Sequence, residues 1–208
     1  RPEYLVWHVS NAGNAEVFTF NFNYSDADVL QATAELFNNV CDVIPDDVTV
    51  LFENLWWPGL RLIDFNLVER FFASLNKTNV GIMLDTGHLM NTNRQLTSEA
   101  EGIGYVCRTV QALGSLKRLI KGVHLSCSLS GSYQQSFEKI VPLQVDYEAL
   151  LTHIGKIDRH QPFTVPEAEA ILEAVQPQYL VHELFYDNLT DLGGKLRQQQ
   201  KACGLRSR

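Results

Sequence analysis

Apolar residues in this chain fall into two alternating kinds of segment: short continuous runs, and longer stretches with apolar positions three or four residues apart. The short runs are Tyr4–Val9, Thr49–Glu53, Asn79–Asp85, Leu119–Ser126 and Gln178–His182, and each predicts a strand buried on both faces. Between them the helical spacing takes over. Ser25-Asp26 caps a helix to about Val43, with Val29, Leu30, Ala34, Leu36, Phe37 and Val40 as its apolar face. Asp64 starts a second helix carrying Leu67, Val68, Phe71, Phe72 and Leu75. Ser98-Glu-Ala-Glu101 has capping-box form and opens a third helix through about Leu113. An irregular loop then leads to helices near Tyr147–Ile157 and Glu167–Val175, the latter after Thr164-Val-Pro166. A last helix from about Thr190 to Ala202 carries Gly193-Gly194, which weakens its first turns.

Strands that are apolar throughout and alternate with helices predict a parallel sheet covered by helices, either doubly wound or closed into a barrel. Neither G-x-G-x-x-G nor a Walker A motif is present, so the usual nucleotide-binding reason for a doubly wound sheet is missing. The 208 residues, 45% hydrophobic, suffice for one sizeable core, and 1–208 reads as a single domain. No apolar run approaches the ~18 residues of a membrane span, which predicts a soluble, cytoplasmic protein. The formal net charge of −7 disfavours nucleic acid as a partner, which a basic stripe would track. The two basic clusters, Lys117-Arg118…Lys121 and Lys195…Arg208, read as solvated helix faces or ends. Cys41, Cys107, Cys127 and Cys203 are widely spaced and read as buried thiols rather than a disulfide framework or a zinc finger.

The strand ends are more informative than the strand interiors. His8 follows Leu-Val-Trp, Glu53 follows Val-Leu-Phe, Asp85 follows Ile-Met-Leu with His88 three residues on, His124 follows Lys-Gly-Val, and Glu183 follows Leu-Val-His. In a parallel barrel all C-terminal strand ends meet on one face, where active sites are built. Three carboxylates converging there repel unless a cation or proton sits among them. Carboxylate oxygen with imidazole nitrogen suits one divalent ion: manganese, zinc, magnesium or cobalt. His182 points away from Glu183, towards the helix layer. His153 and His160 stand away from any strand end and receive no role.

Phe-Glu53-Asn54-Leu-Trp-Trp-Pro-Gly59, Leu-Asp85-Thr-Gly-His88, Gly-Val-His124-Leu and His-Glu183-Leu resemble, in order, successive strand ends of the xylose-isomerase-like barrel superfamily. That superfamily includes sugar isomerases and epimerases and the endonuclease IV type of apurinic-site nucleases. The resemblance implies an α/β fold, a (β/α)8 TIM barrel, of which this chain is the C-terminal portion, about strands 4–8. About three βα units, roughly 70–90 residues, would then precede it in the native protein. It also implies Glu53, Asp85, His124 and Glu183 as metal ligands. His88 matches a histidine that binds substrate in the epimerases and a second metal in the nucleases, and His8 matches a ligand of the nucleases. The nuclease pattern carries an Asp-x-His after its seventh strand. In that region this reading finds only Asp146-Tyr-Glu148.

A one-metal sugar site is therefore the expectation: a ketose isomerase or epimerase working through an enediolate, with Glu53 and Glu183 as the acid/base pair. His8, His88, Asn54, Trp56 and Trp57 are its candidate substrate contacts, and a small sugar or sugar derivative is its partner. A homo-oligomer is compatible with the sequence. An endonuclease IV-like phosphodiesterase and a non-catalytic binding relative are the alternatives.

Overall fold

The computed structural model describes residues 1–205. The apolar runs form strands β1 (Tyr4–His8), β2 (Thr49–Glu53), β3 (Val80–Asp85), β4 (Ile120–Leu125) and β5 (Tyr179–His182). They pair in parallel, in chain order, as one five-stranded sheet. Around it run α1 (Asn14–Thr19), α2 (Asp26–Val40), α3 (Phe65–Ala73), α4 (Thr86–Asn91), α5 (Glu99–Ala112), α6 (Gly131–Ser136), α7 (Tyr147–Ile157), α8 (Glu169–Val175) and α9 (Leu189–Ala202). The expected caps are in place. Ser25 and Ser98 form capping boxes on α2 and α5, and the Asp64 carboxylate accepts from the backbone N–H groups of Asn66 and Leu67 at the start of α3. Gly193 and Gly194 are accommodated inside α9, whose first turn Asn188 caps.

Three helices escape the sequence pattern. α1, α4 and α6 have six residues each, too few for an apolar period to repeat. The second helix also ends at Val40 and tightens into a 3-10 turn over Cys41–Val43. Of the basic tail, Arg206 and Arg208 lie outside the described residues.

Alternation along the strands separates two layers. Phe52 points outward, where its ring meets Phe37 of α2 at 5.0 Å and Phe71 of α3 at 5.1 Å; Trp7 joins from β1. His182 likewise faces outward, its Nδ1 2.9 Å from the Gln199 amide of α9. The inner face is lined by the alternate residues. There Met83 covers Gly122, whose added Cβ would sit 2.7 Å from the Met83 methyl carbon.

The sheet is strongly curled. In a flat sheet four spacings of about 4.8 Å would put β1 and β5 about 19 Å apart. Yet the rings of Tyr4 and Tyr179, both on the inner face, lie 4.5 Å apart between centroids. This is the curvature of a barrel wall, so the chain forms part of a TIM barrel. Among the described residues β1 and β5 are not hydrogen-bonded to each other.

The segments after β1 and β4 both leave the sheet at its C-terminal edge and meet beyond it. His153 of α7 joins them: its Nε2–H donates to the Val17 carbonyl of α1 at 3.0 Å, and its Nδ1 accepts from the Tyr133 hydroxyl at 2.8 Å. Among the described residues no helix is long and apolar enough to cross a membrane.

Phe52 has no solvent exposure and sits among four aromatic rings. Its replacement by alanine is expected to cost about 3–5 kcal/mol in urea unfolding. A loss below about 1 kcal/mol would contradict this account of the sheet–helix core.

Candidate metal centre

The ends of β2, β3 and β4, with the first residue beyond β5, bring Glu53, Asp85, His124 and Glu183 together. One ligand atom from each lies within 4.8 Å of the others. Glu53 is 1% exposed and Asp85 fully buried. Glu53 Oε1 is 3.3 Å from His124 Nδ1, which is itself 3.2 Å from Glu183 Oε2. Asp85 serves two purposes. Its Oδ1 accepts from the His88 backbone N–H at 2.6 Å, capping α4, and this leaves Oδ2 facing the cluster.

The capping turn carries His88 to a second cluster that the strand ends did not announce. His88, Asp158 and His160 also place one ligand atom each within 4.8 Å of one another. Asp158 Oδ2 lies 3.1 Å from His88 Nε2 and 2.6 Å from His160 Nε2. Asp158-Arg159-His160 is an Asp-x-His, and His160, given no role above, lies in the site. Asp146, where that motif was sought, caps α7 instead, and Glu148 is exposed on the same helix. The long segment after β4 returns to the sheet at Gln161, which exchanges two backbone hydrogen bonds with Cys127, just past the end of β4. That bridge sets Asp158 and His160 beside strand ends remote from them in sequence. His160 holds a left-handed φ of 43° there, uncommon for a non-glycine residue.

Hydrogen bonds fix which imidazole nitrogens face inward. A carbonyl oxygen only accepts, so His88 Nδ1, 2.9 Å from the Asn54 carbonyl, and His160 Nδ1, 3.0 Å from the Glu183 carbonyl, are N–H donors. Both Nε2 atoms then point at Asp158. This is the arrangement by which outer hydrogen bonds orient histidines towards a metal.

The donor set fits a cation. Glu53 Oε1 and Oε2, Asp85 Oδ2, His124 Nδ1 and Glu183 Oε2 are buried and have no hydrogen-bond partner. Folded proteins leave few such atoms, and these face one another. Their nitrogen and oxygen chemistry suits zinc, manganese or cobalt.

The facing carboxylates favour the protonated form of the imidazoles. Burial pushes His124 down, but Glu183 and Glu53 outweigh it and raise the pKa to about 10. His160 likewise rises to about 9, against burial, through Asp158. His88 is held well above its ordinary range by Asp85, Asp158 and Glu53, again despite burial. Burial pushes the carboxyls of Glu53 and Asp158 up, and the facing histidines overcome it and hold both far below the carboxylate range. Asp85 goes the other way, to about 7, mainly through burial, with Asp158 and Glu53 adding repulsion.

The remaining flagged residues surround this centre. His8, two-thirds exposed on β1, has Nε2 3.2 Å from Glu53 Oε2. Asn54 is fully buried, and its amide brackets Asp85: Nδ2 donates to the Asp85 carbonyl and Oδ1 accepts from the Asp85 N–H. The Trp56 ring packs 5.1 Å from His88 and 4.5 Å from Trp57.

A curled parallel sheet with carboxylates and imidazoles gathered at its C-terminal edge defines a TIM-type barrel with a candidate metal centre. The chain belongs to the xylose isomerase-like TIM barrel family, whose pattern it matches over residues 5–202. No curated protein matches it.

Metal binding needs unprotonated imidazole, so the protons held by His124 and His160 must leave as a cation enters. Zinc binding measured calorimetrically in two buffers of different ionisation enthalpy is expected to show net proton release, with affinity rising from about pH 6 towards about pH 9. Affinity independent of pH over that interval would contradict the assignment of these histidines as ligands.

Proposed function

We propose that the chain carries the multinuclear divalent-metal centre of a phosphodiesterase acting at apurinic sites in DNA, of the endonuclease IV type. In this reading 1–208 is one domain, and its strands take the places of the fourth to the eighth of the barrel. The observation that carries it is the His88–Asp158–His160 cluster adjoining Glu53, Asp85, His124 and Glu183. In a one-metal ketose site His88 would contact substrate, and Asp158 and His160 would have no assigned part.

Charge supports the same choice. With both clusters ligating, every imidazole is neutral and Glu53, Asp85, Asp158 and Glu183 present −4 between them, more than one divalent cation offsets. Two cations bring the four carboxylates to neutrality, and a third makes the site attractive to phosphate. When bound, such cations supply Lewis acidity towards a phosphoryl oxygen. Glu53, with Oε1 3.3 Å from both His88 Nδ1 and His124 Nδ1, stands between the clusters. Glu183, with a side chain 40% exposed, is the carboxylate best placed to take the proton of an incoming water. His8, with Nε2 3.2 Å from Glu53 Oε2, matches a metal ligand of the nucleases and would serve as one here.

A second reading keeps the first cluster alone as a one-metal ketose isomerase or epimerase, with Glu53 and Glu183 moving the proton. The net charge of −7 favours it over a DNA-binding surface.

Metal-loaded protein incubated with a duplex carrying one tetrahydrofuran abasic analogue tests the choice. Nicking is expected, abolished by EDTA and reduced about 100-fold or more in Asp158→Asn, as on loss of metal support. Ketose epimerisation with solvent deuterium incorporation, without nicking and unaffected by Asp158→Asn, would instead establish the sugar reading.

A further inference from the structure

Behind Asp158 lies a buried polar relay formed by residues outside the metal-ligand set. Asn91 at the end of α4 is 3% exposed, and its Nδ2 donates to Asp158 Oδ1 at 3.4 Å. Its own Oδ1 accepts from the Ser130 hydroxyl at 2.7 Å and lies 2.9 Å from the Ser128 hydroxyl. Gln134 Nε2 donates to both the Asn91 carbonyl at 3.0 Å and Ser130 Oγ at 2.9 Å. Ser130 and Gln134 are themselves almost fully buried.

The protons can be ordered in one way. The Gln134 amide supplies a hydrogen to Ser130 Oγ, so the single Ser130 proton is free to go to Asn91 Oδ1. An amide whose oxygen receives a hydroxyl must present its NH2 on the other side, and on that side stands Asp158. Donation therefore runs from Gln134 through Ser130 and Asn91 to Asp158 Oδ1. Asp158 Oδ2 is left for the two histidines. Ser128 pins the same segment again, since its hydroxyl lies 2.8 Å from the Ile157 carbonyl and accepts from the Arg159 N–H at 3.0 Å, on either side of Asp158.

We infer that Asn91 is a positioning residue for the His88–Asp158–His160 site, holding Asp158 by its outer oxygen so that the inner one meets a cation. The inference rests on reading that cluster as a metal site. The relay begins in α6, which follows β4, and ends on a carboxylate that follows α7. It thus sets the geometry of this one cluster and makes no hydrogen bond to the ligand carboxylates of the other. Buried polar networks of this kind specify a geometry when every member is satisfied. A leucine at position 91 keeps the branched shape and the number of side-chain heavy atoms and removes the donor.

The test is zinc affinity at each cluster in the full chain, resolved by competition with a chromophoric chelator, with the cobalt visible spectrum as a second readout. Asn91→Leu is expected to weaken the His88–Asp158–His160 site by about 10–100-fold, the scale of outer-shell substitutions. Its cobalt spectrum shifts, and affinity at the Glu53–Asp85–His124–Glu183 site is unchanged. Ser130→Ala, a smaller lesion that frees the Asn91 amide to turn, gives a lesser loss at the same site and decides the matter if Asn91→Leu does not fold. Equal loss at both sites, or no loss at either, would overturn the positioning role. The His160→Ala variant separates the two levels. If it binds as much zinc as the unaltered protein, the cluster itself is not a metal site and the reading beneath the inference fails.

Discussion

Four carboxylates and four imidazoles are gathered at one edge of a curled sheet, most of them out of reach of water, and their mutual charge is the constraint around which the molecule is arranged. Like charges this close cannot all ionise unless positive charge stands among them. The facing carboxylates favour protonated histidines, and the inward-facing atoms of Glu53, Asp85, His124 and Glu183 without hydrogen bonds mark where a cation could take that role. Much of the local structure serves to hold these groups in place against repulsion. Asp85 is bracketed by the Asn54 amide and by the first turn of α4, while two backbone carbonyls set the rings of His88 and His160.

The sheet makes this possible because a parallel arrangement delivers one chain end of every strand to the same face. Each ligand strand contributes a single inward residue at its end, and the outward neighbours, such as Phe52 and Leu84, bury themselves among the helices. Gly87 shows how closely the layers approach. A Cβ there would meet Ser126 Oγ at 2.6 Å, just where Thr86 ties α4 to the end of β4 through its hydroxyl. Leu-Asp85-Thr-Gly-His88 therefore sets a candidate ligand, a tether, a clearance and a second candidate ligand in immediate succession.

Much of this was legible in the sequence. The strands are apolar runs ended by a charged or imidazole residue, and the periodicity that finds them also places Glu53, Asp85, His124 and Glu183 at one edge. The inward and outward sense of neighbouring residues followed too, as His182 and Glu183 illustrate. Asp158 and His160 were not found by that logic, because neither ends a strand. The Cys127–Gln161 bridge brings them in, and a backbone bridge of two residues has no apolar period to betray it. The signal that did exist was the Asp-x-His itself, twelve residues beyond where it was sought, by the count from Asp146 to Asp158. Asn91 left no sequence signal at all; its role depends on a hydroxyl and an amide that only the fold brings together.

Two clusters, meeting where Glu53 Oε1 lies 3.3 Å from His88 Nδ1, make up the proposed centre for more than one cation. Metal content per chain by elemental mass spectrometry, after loading with zinc and removal of excess, addresses it most directly. More than one zinc per chain is expected, falling by one in His160→Ala and further in an Asp85→Asn/His124→Ala double variant. A single zinc per chain, unaffected by His160→Ala, would contradict the account and restore a one-metal sugar site.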